Sequence, residues 1–305
     1  MMEYCLETDY LTKQYRNFRA LNGLTMHVPR GAIYGLIGKN GAGKTTLIRI
    51  ISGLQRPSGG SYFLYGEPYD GRGIYKARER VGGVVETPSI YANMSAYENL
   101  KQQFILLGKP SFGGIDELLK LVRLDDAGKK KAGHFSLGMK QRLGIALALA
   151  GDPDFIVLDE PVNGLDPQGI IEIRELILKL NREKNITFLV SSHILGELSR
   201  IATHYGFMHK GEILKEISAS ELAAVCRKCI SVTVTPSPAF APALDSLNLE
   251  YRIVGDDRAE VYGDADITGL VLALKSRGIN LLRITEKDED LESYYINLIG
   301  GGFND

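Results

Sequence analysis

The residues with the clearest chemistry form a glycine-rich loop, Gly38 to Thr46, between an apolar run at 32–37 and a helix-periodic stretch at 47–51. Glycine lets the backbone approach a ligand closely, and the free N–H groups of the loop and the first helical turn favour an anion. Lys44 can neutralise the β- and γ-phosphates, and the Thr45 hydroxyl can hold Mg²⁺. The loop is therefore predicted to bind a nucleoside triphosphate through Gly38, Lys39, Asn40, Gly41, Ala42, Gly43, Lys44, Thr45 and Thr46.

A second chemical signal is an apolar run at 155–158 that ends in Asp159 and Glu160. Such a run is typical of a buried parallel strand, and ligands of α/β sheets bind at the carboxyl ends of their strands. We expect Asp159 to hold Mg²⁺ through water and Glu160 to act as the general base on an attacking water.

Three further polar residues stand at the ends of predicted elements. His193 ends an apolar strand at 186–192, and it could contact the γ-phosphate or cap the strand. Glu86 follows an apolar strand at 81–85, where it could meet Mg²⁺ or water, although spacing alone favours a solvated carboxylate. Ser136 is an expected helix N-cap, and an ordinary cap is about as good an interpretation as a phosphate contact.

Upstream of the loop, strands are predicted at 3–10 and 24–28, with a polar turn at 13–16 between them. Tyr15 lies in that turn. Its ring could stack on a purine, because aromatic faces bind bases without a specific hydrogen bond.

The totals describe an ordinary globular protein. With 305 residues, 44% hydrophobic and 24% charged, the chain is long enough for about two domains. A net charge of −1 argues against nucleic-acid binding through bulk basicity. There is no signal-peptide pattern and no membrane-spanning apolar run, so we predict a cytosolic protein whose membrane work would need another chain. Cys5, Cys226 and Cys229 are interpreted as reduced bystanders rather than a redox or metal site.

The elements that position these residues divide the chain into two predicted domains. Residues 1–217 alternate strands and helices as an α/β phosphate-loop NTPase does, with a helical insert at about 95–150. Residues 218–305 have the order of a small βαββαβ sandwich, an α+β domain without a recognisable chemical motif.

Taken together, these features resemble the nucleotide-binding subunits of ABC transporters over roughly residues 3–217. The resemblance places Gly38 to Thr46 at the Walker A loop, and Asp159 with Glu160 at the end of Walker B. The other correspondences are Tyr15 with the adenine-stacking position, Ser136 and Gly138 with the signature motif, Asp166 with the D-loop and His193 with the switch histidine.

Within that family the chain is similar to subunits of bacterial exporters for antimicrobial peptides, of the bacitracin and lantibiotic self-protection kind. Leu137 and Met139 replace a glycine and the glutamine of the usual signature, whereas Ser136 and Gly138 remain. Glu86 stands in place of the Q-loop glutamine, as it does in the peptide-exporter group. The resemblance thereby implies catalytic roles for Glu86, Glu160 and His193, and metal contacts from Thr45, Asp159 and Glu86.

The resemblance also implies the cofactors and partners. ATP and Mg²⁺ would bind between two copies of the chain arranged head to tail, with Ser136 and Gly138 of one copy capping the nucleotide of the other. A separately encoded integral membrane permease would hold this dimer at the inner face of the cell membrane, and no nucleic acid is expected. The alternative is a soluble ABC-type ATPase that acts as a scaffold. A regulatory module with a decayed site is disfavoured, because Lys44, Asp159, Glu160 and His193 are all intact.

Overall fold

The structure of the chain is a computed structural model that describes residues 4–226, 229–247, 249–262, 266–287 and 291–300. It forms two compact units, residues 1–219 and residues 220–305. Among the described residues, the first unit contains two sheets and the second contains one, and each unit has its own hydrophobic core.

The first unit is an α/β structure in which strands and helices alternate after an N-terminal hairpin. Its strands are β1 (Tyr4–Tyr15), β2 (Phe18–Pro29), β3 (Ile33–Ile37), β4 (Gly59–Leu64), β5 (Glu67–Pro68), β6 (Val81–Val84), β7 (Phe155–Asp159), β8 (Thr187–Ser192), β9 (His204–His209) and β10 (Glu212–Ser218). Its helices are α1 (Lys44–Ile51), α2 (Ile74–Arg78), α3 (Ala96–Leu106), α4 (Ile115–Leu121), α5 (Leu137–Leu149), α6 (Pro167–Lys184) and α7 (Leu195–Leu198), with 3-10 turns at Asp125–Ala127 and Ala132–His134.

A six-stranded sheet in the order β10-β9-β3-β8-β7-β6 is the frame of this unit. Strands β9, β3, β8, β7 and β6 run parallel, and β10 is an antiparallel edge strand. Every residue of β3, β7 and β8 is buried, which explains their nearly unbroken apolar sequences. Because parallel strands end at one edge, the residues that follow β3, β6, β7 and β8 converge there.

The N-terminal strands are longer than their sequences indicate. Strands β1 and β2 pair as an antiparallel hairpin, and β4 and β5 extend this second sheet beside β1. The turn predicted at 13–16 is wrong. Cross-strand pairing of Tyr15 with Phe18 continues the ladder, so the turn is confined to 16–17, with Arg16 at a positive φ of 48°.

Helices α3, α4 and α5 follow one another between β6 and β7, within the stretch predicted to be a helical insert. Ser95 caps α3 in a complete capping box, since its hydroxyl accepts from the Glu98 N–H and the Glu98 carboxylate accepts from the Ser95 N–H. Helix α5 packs against α3, α4, α6 and β6.

The second unit shows the βαββαβ order predicted from its sequence. Its elements are β11 (Cys229–Val234), α9 (Phe240–Asp245), β12 (Glu250–Gly255), β13 (Arg258–Tyr262), α10 (Ile267–Ser276) and β14 (Leu281–Lys287), flanked by α8 (Ala219–Val225) and α11 (Leu291–Gly300). The antiparallel sheet has the order β12-β13-β11-β14. Its core includes Val232, Val261, Phe240 and Leu270.

Candidate nucleotide-binding and hydrolysis site

The glycine-rich loop is shaped by close contacts with β2 and β9. Gly43 is the N-cap of α1 at a φ of 113°, and a Cβ there would lie 2.5 Å from the Ala20 carbonyl oxygen. A Cβ on Gly38 would lie 2.8 Å from the carbonyl oxygen of Met208. Since neither obstacle is a flexible side-chain end, only glycine fits these two positions. The neighbouring strands therefore pack closely against the loop at Gly38 and Gly43.

Lys44 is the first residue of α1, and its side chain is buried at 6% exposure. Its Nζ donates to the Gly38 carbonyl oxygen at 2.6 Å and lies 3.2 Å from Glu160 Oε1. A buried ammonium needs such partners, because burial without them is strongly unfavourable. These two contacts hold the ammonium between the start of the loop and the residue that follows β7.

The end of β7 supplies two carboxylates with different surroundings. Asp159 is buried at 2% exposure, and the Ser191 hydroxyl of β8 donates to its Oδ1 at 2.6 Å. The Glu160 N–H donates to the same Ser191 Oγ at 2.9 Å. Glu160 has a φ of 50°, a left-handed conformation that turns the chain sharply after the strand. Ser191 thus fixes both acidic residues relative to β8.

His193 completes a line of three charged or titratable groups. Its Nδ1 lies 2.7 Å from Glu160 Oε2, while Lys44 faces the other oxygen of that carboxylate. Glu160 therefore bridges the phosphate loop and the end of β8. The contact with Glu160 tests neither a γ-phosphate contact nor a strand cap, and the role of His193 stays a prediction.

Glu86 lies in a different environment. It follows β6 at a φ of 61°, and its carboxylate forms an ion pair with Arg49 in the last turn of α1. Both residues line a groove of about 610 Å³ that is also lined by residues of α3 and α5. The structure thus places Glu86 with Arg49, and it gives no contact between Glu86 and Asp159 or Thr45 among the described residues.

The signature and D-loop residues serve as helix caps. Ser136 caps α5, where its hydroxyl accepts from the Met139 N–H at 3.2 Å, and Asp166 caps α6 by accepting from the Gly169 N–H at 3.2 Å. Gly138 lies in the first turn of α5. In the described part of the chain, none of their contacts joins these residues to the phosphate loop.

Tyr15 ends β1 beside the first turn of the chain. Its hydroxyl donates to the Gln55 side chain, and the Lys13 ammonium lies 5.3 Å from its ring centroid. The residue as a whole is 38% exposed. Its stacking role stays a prediction.

The sequence reasoning missed two residues of this region. Ser191 was seen only as part of a polar strand end, although it is the hydroxyl that links Asp159 to Glu160. Arg49 carries no motif, and only its place five residues after Lys44 on the same helix could have suggested a role. The contact of Ser191 with Asp159 depends on the pairing of β7 with β8, which the sequence alone does not show.

A phosphate loop, a strand ending in Asp-Glu and a strand ending in His, all at one sheet edge, define an ATPase of the ABC class. The chain belongs to the ABC transporter ATP-binding family, whose sequence profile matches residues 21–163. It is the ATP-hydrolysing subunit type of that family.

Particular relatives indicate the group within the family. The bacitracin transport ATP-binding protein BcrA of Enterococcus faecalis is 40% identical over 304 residues, covering 99% of this chain and 98% of the relative. The lantibiotic transport ATP-binding protein SrtF of Streptococcus pyogenes is 42% identical over 218 residues, covering 71% of this chain and 93% of the relative.

Solved structures support the fold. One is cbiO1 from Clostridium perfringens, part of the ABC transporter complex cbiONQ, with 29% identity, a TM-score of 0.65, and coverage of 73% of this chain and 91% of that one. Another is a dimeric, post-hydrolysis structure of the ATP-binding cassette MJ0796 bound to ADP and Pi, with 25% identity, a TM-score of 0.64, and coverage of 70% and 98%. Across the described ranges of this chain, no helix has the length and hydropathy of a membrane span.

Proposed function

We propose that this subunit powers the export of an antimicrobial peptide, in self-protection or resistance, through a separate membrane permease. The observation that carries the proposal is 40% identity over nearly the whole chain to a protein named for bacitracin transport. Similarity to a lantibiotic transport subunit supports the same substrate class.

We infer that Mg²⁺ accompanies ATP at this site. The Thr45 hydroxyl and the Asp159 carboxylate are the hard oxygen donors that Mg²⁺ prefers, and Glu86 is a third candidate. The described residues contain no group of three or more His, Cys, Asp or Glu that could hold a metal. This fits an ion bound by one or two protein oxygens together with phosphates and water. When bound, it would neutralise charge on the phosphates.

The roles of the protein groups follow from their contacts. Lys44 turns from Glu160 to the phosphates when ATP binds, which releases Glu160 Oε1 to accept a proton from the attacking water. His193 holds the other oxygen, Oε2, and so orients the base. The loop N–H groups and Lys44 stabilise the charge that develops as the γ-phosphoryl group is transferred to water and ADP departs.

We propose that two copies assemble head to tail, with Ser136 and Gly138 of each copy closing over the nucleotide of the other. Ser136 is exposed and caps its own helix. Among the described contacts, none joins it to the phosphate loop of its own chain. The dimeric cassette structure among the solved relatives supports such an assembly. ATP would join the copies, and hydrolysis would let them part.

The groove beside Glu86 is the proposed docking site for the permease. Leu54 and Leu107 line it and are 65% and 44% exposed, so they offer apolar surface that a partner could cover. Docking there would place the dimer at the inner face of the cell membrane. We further propose that Tyr15 contacts the adenine ring and that residues 218–305 form an accessory domain. The proposed function involves no nucleic acid.

The test is ATPase activity and co-purification of the native complex from membranes, with and without added antimicrobial peptide. We expect a multi-spanning partner and peptide-stimulated hydrolysis that is absent from a Lys44→Gln complex. Hydrolysis without a membrane partner would favour a soluble scaffold. Absence of hydrolysis in every fraction would overturn the site assignment itself.

A further inference from the structure

Helix α1 carries a cation near each of its ends, and each cation pairs with an acidic residue that follows a strand of the large sheet. Lys44 at the first position pairs with Glu160, and Arg49 in the last turn pairs with Glu86. The helix that binds phosphate at one end is thus tied to Glu86 near the other end.

The pair of Arg49 and Glu86 is accessible to solvent. Their side chains are 38% and 51% exposed, and both line the groove between the sheet and the helices α3 and α5. Among the contacts of the described residues, Arg49 is the one polar side-chain partner of Glu86. Solvent screens a pair of this exposure, so either member can exchange its partner readily.

Arg49 Nη2 pairs with one oxygen of the Glu86 carboxylate, Oε1. A guanidinium and a metal ion both draw on the negative charge of the same carboxylate, so that engagement of one weakens engagement of the other. The backbone at Glu86 is left-handed, with a φ of 61°, and it fixes the starting direction of the side chain. A change of partner between Arg49 and the metal therefore needs only rotation of the side chain.

We propose that Arg49 is a positioning residue that competes with the divalent cation for the Glu86 carboxylate. In the protein without nucleotide, the pair holds Glu86 on the groove side. Binding of the metal with ATP draws the carboxylate from Arg49. This inference rests on the proposed role of Glu86 in metal binding.

The test measures metal affinity directly and involves no turnover. Mn²⁺ replaces Mg²⁺ as the probe, and bound Mn²⁺ is measured by electron paramagnetic resonance in protein saturated with a non-hydrolysable ATP analogue. We expect Arg49→Gln to tighten Mn²⁺ binding about two- to fivefold, the worth of one exposed ion pair. Glu86→Gln weakens binding, and adding Arg49→Gln to Glu86→Gln then has no further effect. Arg49→Lys, which keeps the charge, stays close to the wild type.

Arg123→Gln is the matched control, because Arg123 and Glu175 form another exposed Arg–Glu pair, 61% and 54% exposed, on different elements. It leaves Mn²⁺ affinity unchanged, and a thermal melt checks that each variant folds. An effect of Glu86→Gln without one of Arg49→Gln would overturn the role of Arg49 alone. The role of Arg49 would also be overturned if Arg49→Gln changed the Mn²⁺ affinity by the same factor in the Glu86→Gln background. Unchanged affinity in Glu86→Gln would remove the metal role of Glu86, and the inference with it.

Discussion

The ends of β7 and β6 place two glutamates in similar backbone positions but in different surroundings. Glu160 and Glu86 both have a positive φ, 50° and 61°, and both pair with a cation of α1. Glu160 is 20% exposed and paired with a lysine at 6% exposure, whereas Glu86 is 51% exposed and its arginine 38%.

The difference in burial accounts for different proposed roles. Near Glu160, low exposure strengthens each charge interaction, and contacts with Lys44 and His193 fix both of its oxygens. In the proposed mechanism His193 keeps its contact with Oε2 when Lys44 turns to the phosphates, so the carboxylate stays positioned as a base. Near Glu86, water weakens the pair with Arg49, so the carboxylate is free to change partners. The surroundings of Glu160 therefore suit catalysis, and those of Glu86 suit an exchange of partners.

The largest expected effect is a loss of stability on substitution of Gly43. This residue is the N-cap of α1, the helix that carries both Lys44 and Arg49. In Gly43→Ala, the left-handed backbone and the close Ala20 carbonyl oxygen together lower the free energy of unfolding by about 2–5 kcal/mol. Chemical denaturation measures this change. The control is Gly66→Ala, which has a φ of 81° and open space around it, so it carries the backbone strain alone. Equal losses in the two variants would show that the Ala20 contact is unimportant.

The next largest effect is a difference in ATP affinity between variants of Lys44 and Arg49. Lys44→Gln weakens binding of ATP, measured by calorimetry without divalent metal, by about 10- to 150-fold, the worth of a hydrogen bond to a charged group. Arg49→Gln leaves this metal-free affinity within about twofold, because its proposed partner is Glu86 rather than phosphate. Similar losses in both variants would contradict the division between the two surroundings.

His193 is the third member near Glu160, and the Glu86 surroundings have no equivalent among the described contacts. His193→Ala lowers kcat about tenfold, because a base oriented by one fewer hydrogen bond is less well placed. The KM for ATP changes little if His193 acts through Glu160. A large rise in KM with an unchanged kcat would instead indicate a phosphate-binding role.

The smallest effect is expected at α3, which contributes to the groove beside Glu86. Ser95→Ala removes the N-cap and lowers the free energy of unfolding by about 1 kcal/mol, as measured by denaturation at pH 7. Hydrogen bonds from the Ser95 backbone and side chain lower the pKa of Glu98.

A lowered folded-state pKa means that this stabilisation is present above the unfolded pKa and is lost as pH falls through the folded value. The Ser95→Ala variant keeps the backbone N–H that bonds Glu98 and loses only the hydroxyl. The hydroxyl's part of the pKa shift alone separates the two proteins, so the difference in stability between them shrinks slightly in acid. A difference that grows in acid would contradict this account of the cap.

Much of the site could be predicted, because its residues lie in short local patterns. The loop at 38–46 and the Asp159–Glu160 strand end each need only neighbouring residues to be recognised. The hairpin turn was misplaced because the pairing of β1 with β2 continues as far as Tyr15 and Phe18, and this pairing overrode the turn preference of a polar sequence. The ion pair of Arg49 and Glu86 joins residues 37 positions apart, and no local pattern announces it.

The most direct test of the account compares Glu160→Gln with Glu86→Gln in single-turnover release of phosphate at saturating metal, with ATP binding measured in the same samples. We predict that Glu160→Gln binds ATP with near-normal affinity but releases phosphate at least about 100-fold more slowly, the typical contribution of a general base. Glu86→Gln is predicted to keep most of its rate once metal is saturating. Normal phosphate release by Glu160→Gln would contradict the assignment of Glu160 as the base.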